Sequence, residues 1–137
     1  MDQLAFRWRH SYKDSISGIE VPITLSTSEG RSVQLIAKVD TGAAFCIFRR
    51  NYADELGIVV EDGERKMVQT ANGGAFAVYG HTLILSCLDE LQFESKVYFA
   101  ETTELRRDVV GRSGWLQKIR LGLIDHDTLL FLSHHDD

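Results

Sequence analysis

The chain has 137 residues, 44% of them hydrophobic and 26% charged, with a formal net charge of −5 at pH 7. This length and balance fit one globular domain and exclude a disordered chain. The acidic charge argues against a general nucleic-acid-binding protein, which needs a basic surface for phosphates, and no apolar run is long enough to span a membrane.

The first predicted elements are two strands that form a hairpin. Residues 19–25 and 33–39 each alternate apolar and other side chains with period two, and residues 26–31 between them favour a turn. Pro22 has no backbone N–H to donate to a neighbouring strand. We therefore expect the first strand to lie at a sheet edge.

The second strand runs directly into residues 40–43, Asp-Thr-Gly-Ala. One interpretation is an ordinary turn, because Asp, Thr and Gly all favour chain reversals. The other is a functional turn in which Asp40 presents a carboxylate at the end of a buried strand. The rest of the chain must decide between the two.

A short strand and a helix are predicted after this turn. Residues 45–48 are apolar, whereas residues 50–56 lack strand alternation and end at Gly57. We predict one or two helical turns over 50–56. Gly57 is placed to adopt the left-handed conformation that ends a helix.

A glycine-rich hairpin is the second informative feature. Residues 66–70 lead into Asn72-Gly73-Gly74, and residues 75–79 lead back. Asn and Gly adopt positive φ at little cost, which predicts a tight turn at the tip.

The remaining segments complete a β-rich chain. They are strands at 81–88 and 92–100, a polar loop at 101–108, an apolar-apolar-Gly-Arg segment at 109–112, a helical turn at 115–119, strands at 121–123 and 129–132, and a frayed polar tail at 133–137. Many short strands, frequent turns and one or two short helices predict an all-β, barrel-like domain.

Cys46 and Cys87 bear on the cellular compartment. Two cysteines are too few for a disulfide framework, and both lie in apolar stretches. We therefore predict buried free thiols. The N-terminal residues contain no apolar signal segment, so a cytoplasmic location is expected.

Three motifs in this order resemble the retropepsin family, the single-domain aspartic proteases of retroviruses and bacteria. They are the turn at 40–43, the hairpin around residues 73–76 and the segment at 109–112. The resemblance spans about residues 19–132. It implies the acid-protease fold, a closed β-barrel of one lobe.

The resemblance also implies how the whole chain is organised. Residues 1–137 would form one retropepsin-like domain with its core at about 19–132. Residues 1–18 would then be an N-terminal arm and residues 133–137 a polar tail.

The implied chemistry is peptide hydrolysis without a cofactor. Asp40 would be catalytic, and Thr41, Gly42 and Ala43 would complete the active-site turn. Two carboxylates must share one proton, because close like charges cannot both ionise cheaply. The chain has one Asp-Thr-Gly. We therefore expect a C2 homodimer that cuts extended peptides with one Asp40 from each copy.

The resemblance assigns roles outside this turn as well. The hairpin at 66–79 would be a flap over the substrate. Its tip would supply the substrate-binding residues Thr70, Ala71, Asn72, Gly73 and Gly74. Gly111 would permit a close strand crossing, and Arg112 would hold a dimer-facing helix.

Two departures from the retroviral pattern are visible. Retroviral members carry an acid immediately after the turn, and it pairs with the arginine, but this chain has Ala44. The partner of Arg112 is therefore open among Asp108, Asp125 and Asp127. The flap tip also lacks the usual isoleucines, which implies a more polar flap and a different substrate preference.

Other interpretations follow from the same residues. The chain could be a non-catalytic dimerisation or peptide-binding module with this fold, or a generic β-barrel in which Asp40 only turns the chain. No metal is expected, because the histidines lack zinc-site spacing and there is no Cys-x-x-Cys. Whether the termini form the dimer sheet, with 129–132 as a candidate strand, stays open.

Overall fold

The computed structural model describes residues 1–137 as ten strands with few helices. The strands are β1 Trp8–Ser11, β2 Glu20–Ser26, β3 Ser32–Val39, β4 Ile47–Phe48, β5 Glu64–Gln69, β6 Ala75–Cys87, β7 Leu91–Ala100, β8 Val109–Val110, β9 Ile119–Ile124 and β10 Leu129–His134. The helices are α1 Arg50–Glu55 and three 3₁₀ turns at Val60–Asp62, Leu116–Lys118 and Asp125–Asp127. The all-β prediction is confirmed.

A seven-stranded sheet with the order β2-β3-β8-β4-β7-β6-β5 forms the body of the fold. It curls back on itself because β2 also pairs with β6, from Ile23 opposite Cys87 to Ser26 opposite Ile84. Strand β5 lies outside this ring, and a separate sheet has the order β1-β10-β9. The predicted barrel closure is therefore realised only in part.

The predicted hairpin of β2 and β3 is confirmed, with Glu20 opposite Lys38 at its open end. The prediction of an edge strand holds only for the start of β2, residues Glu20 to Pro22. These residues pair with β3 alone, Pro22 with Ile36, and the second ladder, to β6, begins at Ile23. The missing N–H of Pro22 is thus accommodated where β2 has one neighbour.

Strand β6 replaces two predicted strands with one of 13 residues. Gly80 does not interrupt it. A Cβ on Gly80 would lie 2.8 Å from Lys96 Cε and 2.9 Å from Tyr98 Cε1, so the glycine permits close packing against β7. The glycine between the two predicted segments therefore serves close packing within a continuous strand.

Both helical predictions fall on helical segments, the second of them a 3₁₀ turn. Helix α1 is followed by Gly57 at φ +75°, as predicted. The helical turn expected at 115–119 is a 3₁₀ turn at Leu116–Lys118, because the fully buried Trp115 has non-helical backbone angles (φ −139°, ψ −67°) and Ile119 already begins β9. Burying both apolar side chains against the sheet leaves no length for an α-helix.

The two chain ends form the second sheet. Strand β1, which was not predicted, pairs with β10, with Trp8 opposite Leu132. The prediction of a frayed tail is wrong at its start, because Ser133 is buried and His134 pairs with Ile119. Strand β10 has a neighbour on each side, so residues 129–132 form an internal core strand.

One main hydrophobic cluster holds the fold together, and a smaller one lies beside it. The main cluster includes 25 buried residues, among them Cys46 and Cys87, whose free thiols were predicted. The smaller cluster consists of Ile47, Val78 and Tyr98. Each large side chain buried in this way contributes about 1.5–3 kcal/mol. None of the helices has the length and apolar character needed to cross a bilayer.

Candidate active site

Asp40 begins a tight turn directly after β3. Its backbone N–H donates to Val110 O at 3.0 Å, and its carbonyl accepts from Ala43 N at 3.1 Å. Gly42 N donates to Asp40 Oδ1 at 3.0 Å, while Oδ2 has no hydrogen-bond partner in the chain. The turn therefore orients one oxygen of a half-exposed carboxylate and leaves the other open.

The segment after β8 crosses this turn at close range. Arg112 N donates to Ala43 O at 2.9 Å, and Ser113 N donates to Ala44 O at 2.9 Å. A Cβ on Gly111 would lie 2.6 Å from Ala43 O and 2.4 Å from Phe45 O. The structure thus brings residues 40–43 and 111–112 together, and only glycine fits at the crossing.

The side chain of Arg112 does not pair with any of its three candidate partners. It is exposed and forms no side-chain hydrogen bond or ion pair within the chain. The candidates are engaged elsewhere: Asp108 with Arg49, Asp125 with Tyr12, and Asp127 with His126. None of the three candidates therefore pairs with Arg112 within the chain.

An ion pair that the sequence analysis missed lies behind the turn. Asp108, 2% exposed, accepts from Arg49 N at 2.8 Å through Oδ1 and from Arg49 Nη2 at 2.8 Å through Oδ2. Its carbonyl also accepts from Lys38 N at 2.8 Å. Hydrogen bonding to Asp108 raises the pKa of Arg49. One buried residue therefore ties the end of β3 to the start of α1.

The tip of the hairpin between β5 and β6 is exposed. Thr70 N donates to Gly74 O at 2.8 Å, Gly73 has φ +88°, and Gly74 N donates to Asn72 Oδ1 at 3.4 Å. Ala71 is also exposed. These bonds stay within the tip, and none reaches residues 40–43, so the structure does not join the two predicted site segments directly.

A groove of about 660 Å³ lies between this hairpin and the loop that precedes β8. Thr70 and Phe76 line it from the hairpin, and Leu105 and Arg106 line it from the loop. Phe76 and Leu105 also pack on the small cluster of Ile47, Val78 and Tyr98, as does Phe45. This shared apolar cluster connects the groove to the strand that follows the Asp40 turn.

Neither cysteine takes part in this site. Burial raises the pKa of both Cys46 and Cys87 to about 12, so these thiols stay protonated and unreactive at neutral pH. No three His, Cys, Asp or Glu side chains cluster closely enough to hold a metal ion.

Comparisons with known proteins identify a family and a similar fold. The sequence profile of a family described as aspartyl protease matches residues 21–104, which include the Asp40 turn and the hairpin. The fold is similar to that of a retropepsin-like aspartic protease from Rickettsia conorii, with 22% identity and a TM-score of 0.57. That alignment covers 83% of this chain and 98% of the other. No curated protein sequence matches significantly.

Proposed function

The chain belongs to the aspartyl protease family, and from this premise we propose that it is a homodimeric endopeptidase whose two Asp40 carboxylates activate water. The observation that carries the proposal is the turn itself. It presents a half-exposed carboxylate with one oxygen held by Gly42 N and the other free. A single copy supplies one such carboxylate, whereas the reaction needs two.

The proposed reaction adds water across one peptide bond. The ionised member of the Asp40 pair takes a proton from water as the oxygen attacks the scissile carbonyl carbon. The protonated member donates to the carbonyl oxygen, which gives a tetrahedral diol. Proton transfer to the amide nitrogen then breaks the C–N bond and releases a carboxylic acid and an amine. The pair titrates as a unit throughout.

The exposure of the turn supports assembly with a second copy. Thr41 and Gly42 are exposed, so the turn is not covered by its own chain. A two-fold axis beside Asp40 would bring two identical turns together, and Thr41 would bond across to its counterpart. The partner would have to approach without pairing to β10, because both edges of that strand are occupied.

The hairpin tip has the features of a flap. Thr70, Ala71, Asn72, Gly73 and Gly74 are exposed, and their hydrogen bonds are local. Closure would sequester the substrate and supply main-chain hydrogen bonds to an extended peptide. Gly42 would let the substrate backbone approach the carboxylates. The two free thiols favour a reducing, cytoplasmic setting.

The test compares cleavage of a mixed peptide library by wild type, Asp40→Asn and the control Asp62→Asn, with sedimentation of all three. Asp62 is exposed and its side chain makes no hydrogen bond. We expect all three proteins to be dimers. The cleavage rate should fall by about 10²–10⁴-fold in Asp40→Asn and stay unchanged in Asp62→Asn. A monomer that cleaves peptides would contradict the dimer. A wild-type dimer that cleaves nothing from acidic to neutral pH would indicate a peptide-binding module instead.

A further inference from the structure

A small basic pocket of about 100 Å³ lies beside the strand that carries Asp40. Four cationic side chains contribute to it, although the chain as a whole is acidic. Its charged lining residues are Lys38, Arg49, Arg106, Arg107, Glu20 and Asp108. A local excess of positive charge in an acidic protein indicates an anionic ligand.

The charges in this pocket do not cancel. Asp108 is engaged by Arg49 at 2.8 Å. The remaining lining charges are one acid, Glu20, and three cations, Lys38, Arg106 and Arg107. None of the three cations forms an ion pair within the chain. Arg107 donates one bond to a backbone carbonyl, at 3.0 Å. Most of the donors of Lys38 and Arg106 are therefore free for a ligand.

The position of the pocket ties it to the catalytic turn. Lys38 precedes Asp40 by two residues at the end of β3, so their Cα atoms are no more than about 7 Å apart at about 3.3 Å per residue. Arg106 lines both this pocket and the groove beside the flap hairpin. A peptide lying in the groove would pass the mouth of the pocket.

We propose that this pocket binds an acidic side chain of the peptide substrate and that Arg106 and Lys38 determine this specificity. The inference rests on the proposed peptidase function. An arginine guanidinium binds a carboxylate through two parallel hydrogen bonds, which a lysine ammonium beside it reinforces. The apolar groove wall at Phe76 and Leu105 would receive neighbouring apolar side chains.

Binding can be tested separately from catalysis in the Asp40→Asn background. Fluorescence polarisation would compare blocked peptides that differ only in carrying Glu, Gln or Lys at one position, moved along the peptide. We expect one position at which Glu binds about tenfold more tightly than Gln. The preference should shrink in high salt, because screening weakens partly exposed charge pairs.

Two variants and a control assign the preference to this pocket. Arg106→Gln and Lys38→Gln should each reduce the ratio of Glu to Gln binding to about twofold, while Lys118→Gln should keep it at about tenfold. Lys118 is exposed, lies outside both cavities and makes no side-chain bond. Equal binding of Glu and Gln peptides at every position, or a ratio unchanged in Arg106→Gln, overturns the inference.

The same peptides separate this inference from the proposed function. If wild type cleaves peptides without preferring Glu at any position, the proposed peptidase function stands and the proposed specificity of the basic pocket fails. If Asp40→Asn binds Glu peptides selectively but wild type cleaves none of them, the pocket stands and the peptidase fails. Cleavage by wild type that favours the Glu peptide about tenfold in kcat/KM supports both.

Discussion

The Asp40 turn and the tip of the β5–β6 hairpin are both glycine-bearing turns, but their surroundings differ. The turn at residues 40–43 is crossed by the chain at Gly111, where a Cβ would lie 2.4 Å from a backbone oxygen. At the flap tip, a Cβ on Gly73 would meet nothing within 4 Å. Gly111 is needed because a side chain there would collide with the turn. Gly73 is needed because its backbone adopts a positive φ.

This difference matches the tasks that the two segments would perform. A shared proton requires two carboxylates held at a fixed separation, so the Asp40 turn is bonded to backbone on both sides. A flap must open to admit a peptide, so Gly73 and its neighbours bond only to one another. Substitutions that fill space should therefore harm the turn much more than the flap.

The largest effect is expected for Gly111→Ala. The added methyl group would collide with Ala43 O and Phe45 O, and backbone oxygens cannot move aside without distorting the turn. We expect about 3 kcal/mol of lost stability, at the upper end for overpacking, together with loss of cleavage. Urea unfolding measures the first. Unchanged stability would mean that the crossing is looser than the structure indicates.

The second prediction concerns the ion pair between Arg49 and Asp108. Removing either partner should destabilise the protein, but by different amounts. Arg49→Gln leaves the buried Asp108 carboxylate without its charged partner, and we expect the free energy of unfolding to fall by about 2 kcal/mol. In Asp108→Asn, the side chain of Arg49 is 42% exposed and can bond to water instead. We therefore expect the free energy of unfolding to fall by only about 1 kcal/mol. The denaturant midpoint should therefore be lower for Arg49→Gln than for Asp108→Asn.

The matched control for that pair is the neighbouring Arg50→Gln. Arg50 pairs with Glu61 at the surface, with side chains 25% and 44% exposed. We expect a loss of about 0.5 kcal/mol or less, because exposed ion pairs contribute little. Equal losses of unfolding free energy in all three variants would show that burial of the Asp108 carboxylate does not strengthen its ion pair.

The third prediction uses two glycines with the same conformation in different places. Gly73 has φ +88° and Gly30 has φ +89°, and both have open space around the missing Cβ. Alanine at either position should cost about 1 kcal/mol of backbone strain. Only Gly73→Ala should also change kcat/KM, because only Gly73 lies at the tip of the proposed flap.

Two outcomes would undermine that comparison. Gly30→Ala could alter kcat/KM as much as Gly73→Ala, in which case the kinetic effect would reflect general destabilisation. Alternatively, neither variant could alter it, in which case the tip would not act as a flap. Unfolding free energies and peptide kinetics on the same preparations distinguish these results.

The smallest effect, when measured at pH 9, is the pH dependence of stability that comes from the buried thiols. The folded pKa of Cys46 and Cys87 is raised from 9.0 to about 12, so the unfolded chain releases these protons first. Stability is therefore full below pH 9 and declines as pH rises towards 12, by about 0.4 kcal/mol per thiol at pH 9. Cys46→Ala and Cys87→Ala together should flatten this decline, and an unchanged slope would assign it to other groups.

Local sequence signals predicted those parts of the fold that local chemistry decides. The hairpin of β2 and β3 followed from period-two alternation, and Gly57 ended α1 as a left-handed glycine. The Asp40 turn followed from its residue types and its place after a buried strand. Each of these features depends on residues close together in the chain.

The features that were missed depend on distant partners. Strand β1 has four residues with no distinctive pattern, and only β10, more than 110 residues away, makes it a strand. The Arg49–Asp108 pair joins positions 59 residues apart. Two strands were predicted on either side of Gly80, whereas its close approach to Tyr98 within one long strand depends on residues 18 positions away. Tertiary packing, not local preference, decided all three.

The sheet built from the chain ends has a mechanical consequence. Strands β1 and β10 are antiparallel neighbours, with Trp8 opposite Leu132 and Ser11 opposite Leu129. Opposite forces on Met1 and Asp137 would therefore meet at one end of this ladder and break its hydrogen bonds one after another. Strands loaded in that way unzip at low force, whereas sheared strands must break their bonds together. A pull on the two termini should thus peel β1 away and expose Leu130 and Leu132 before the Asp40 turn is strained.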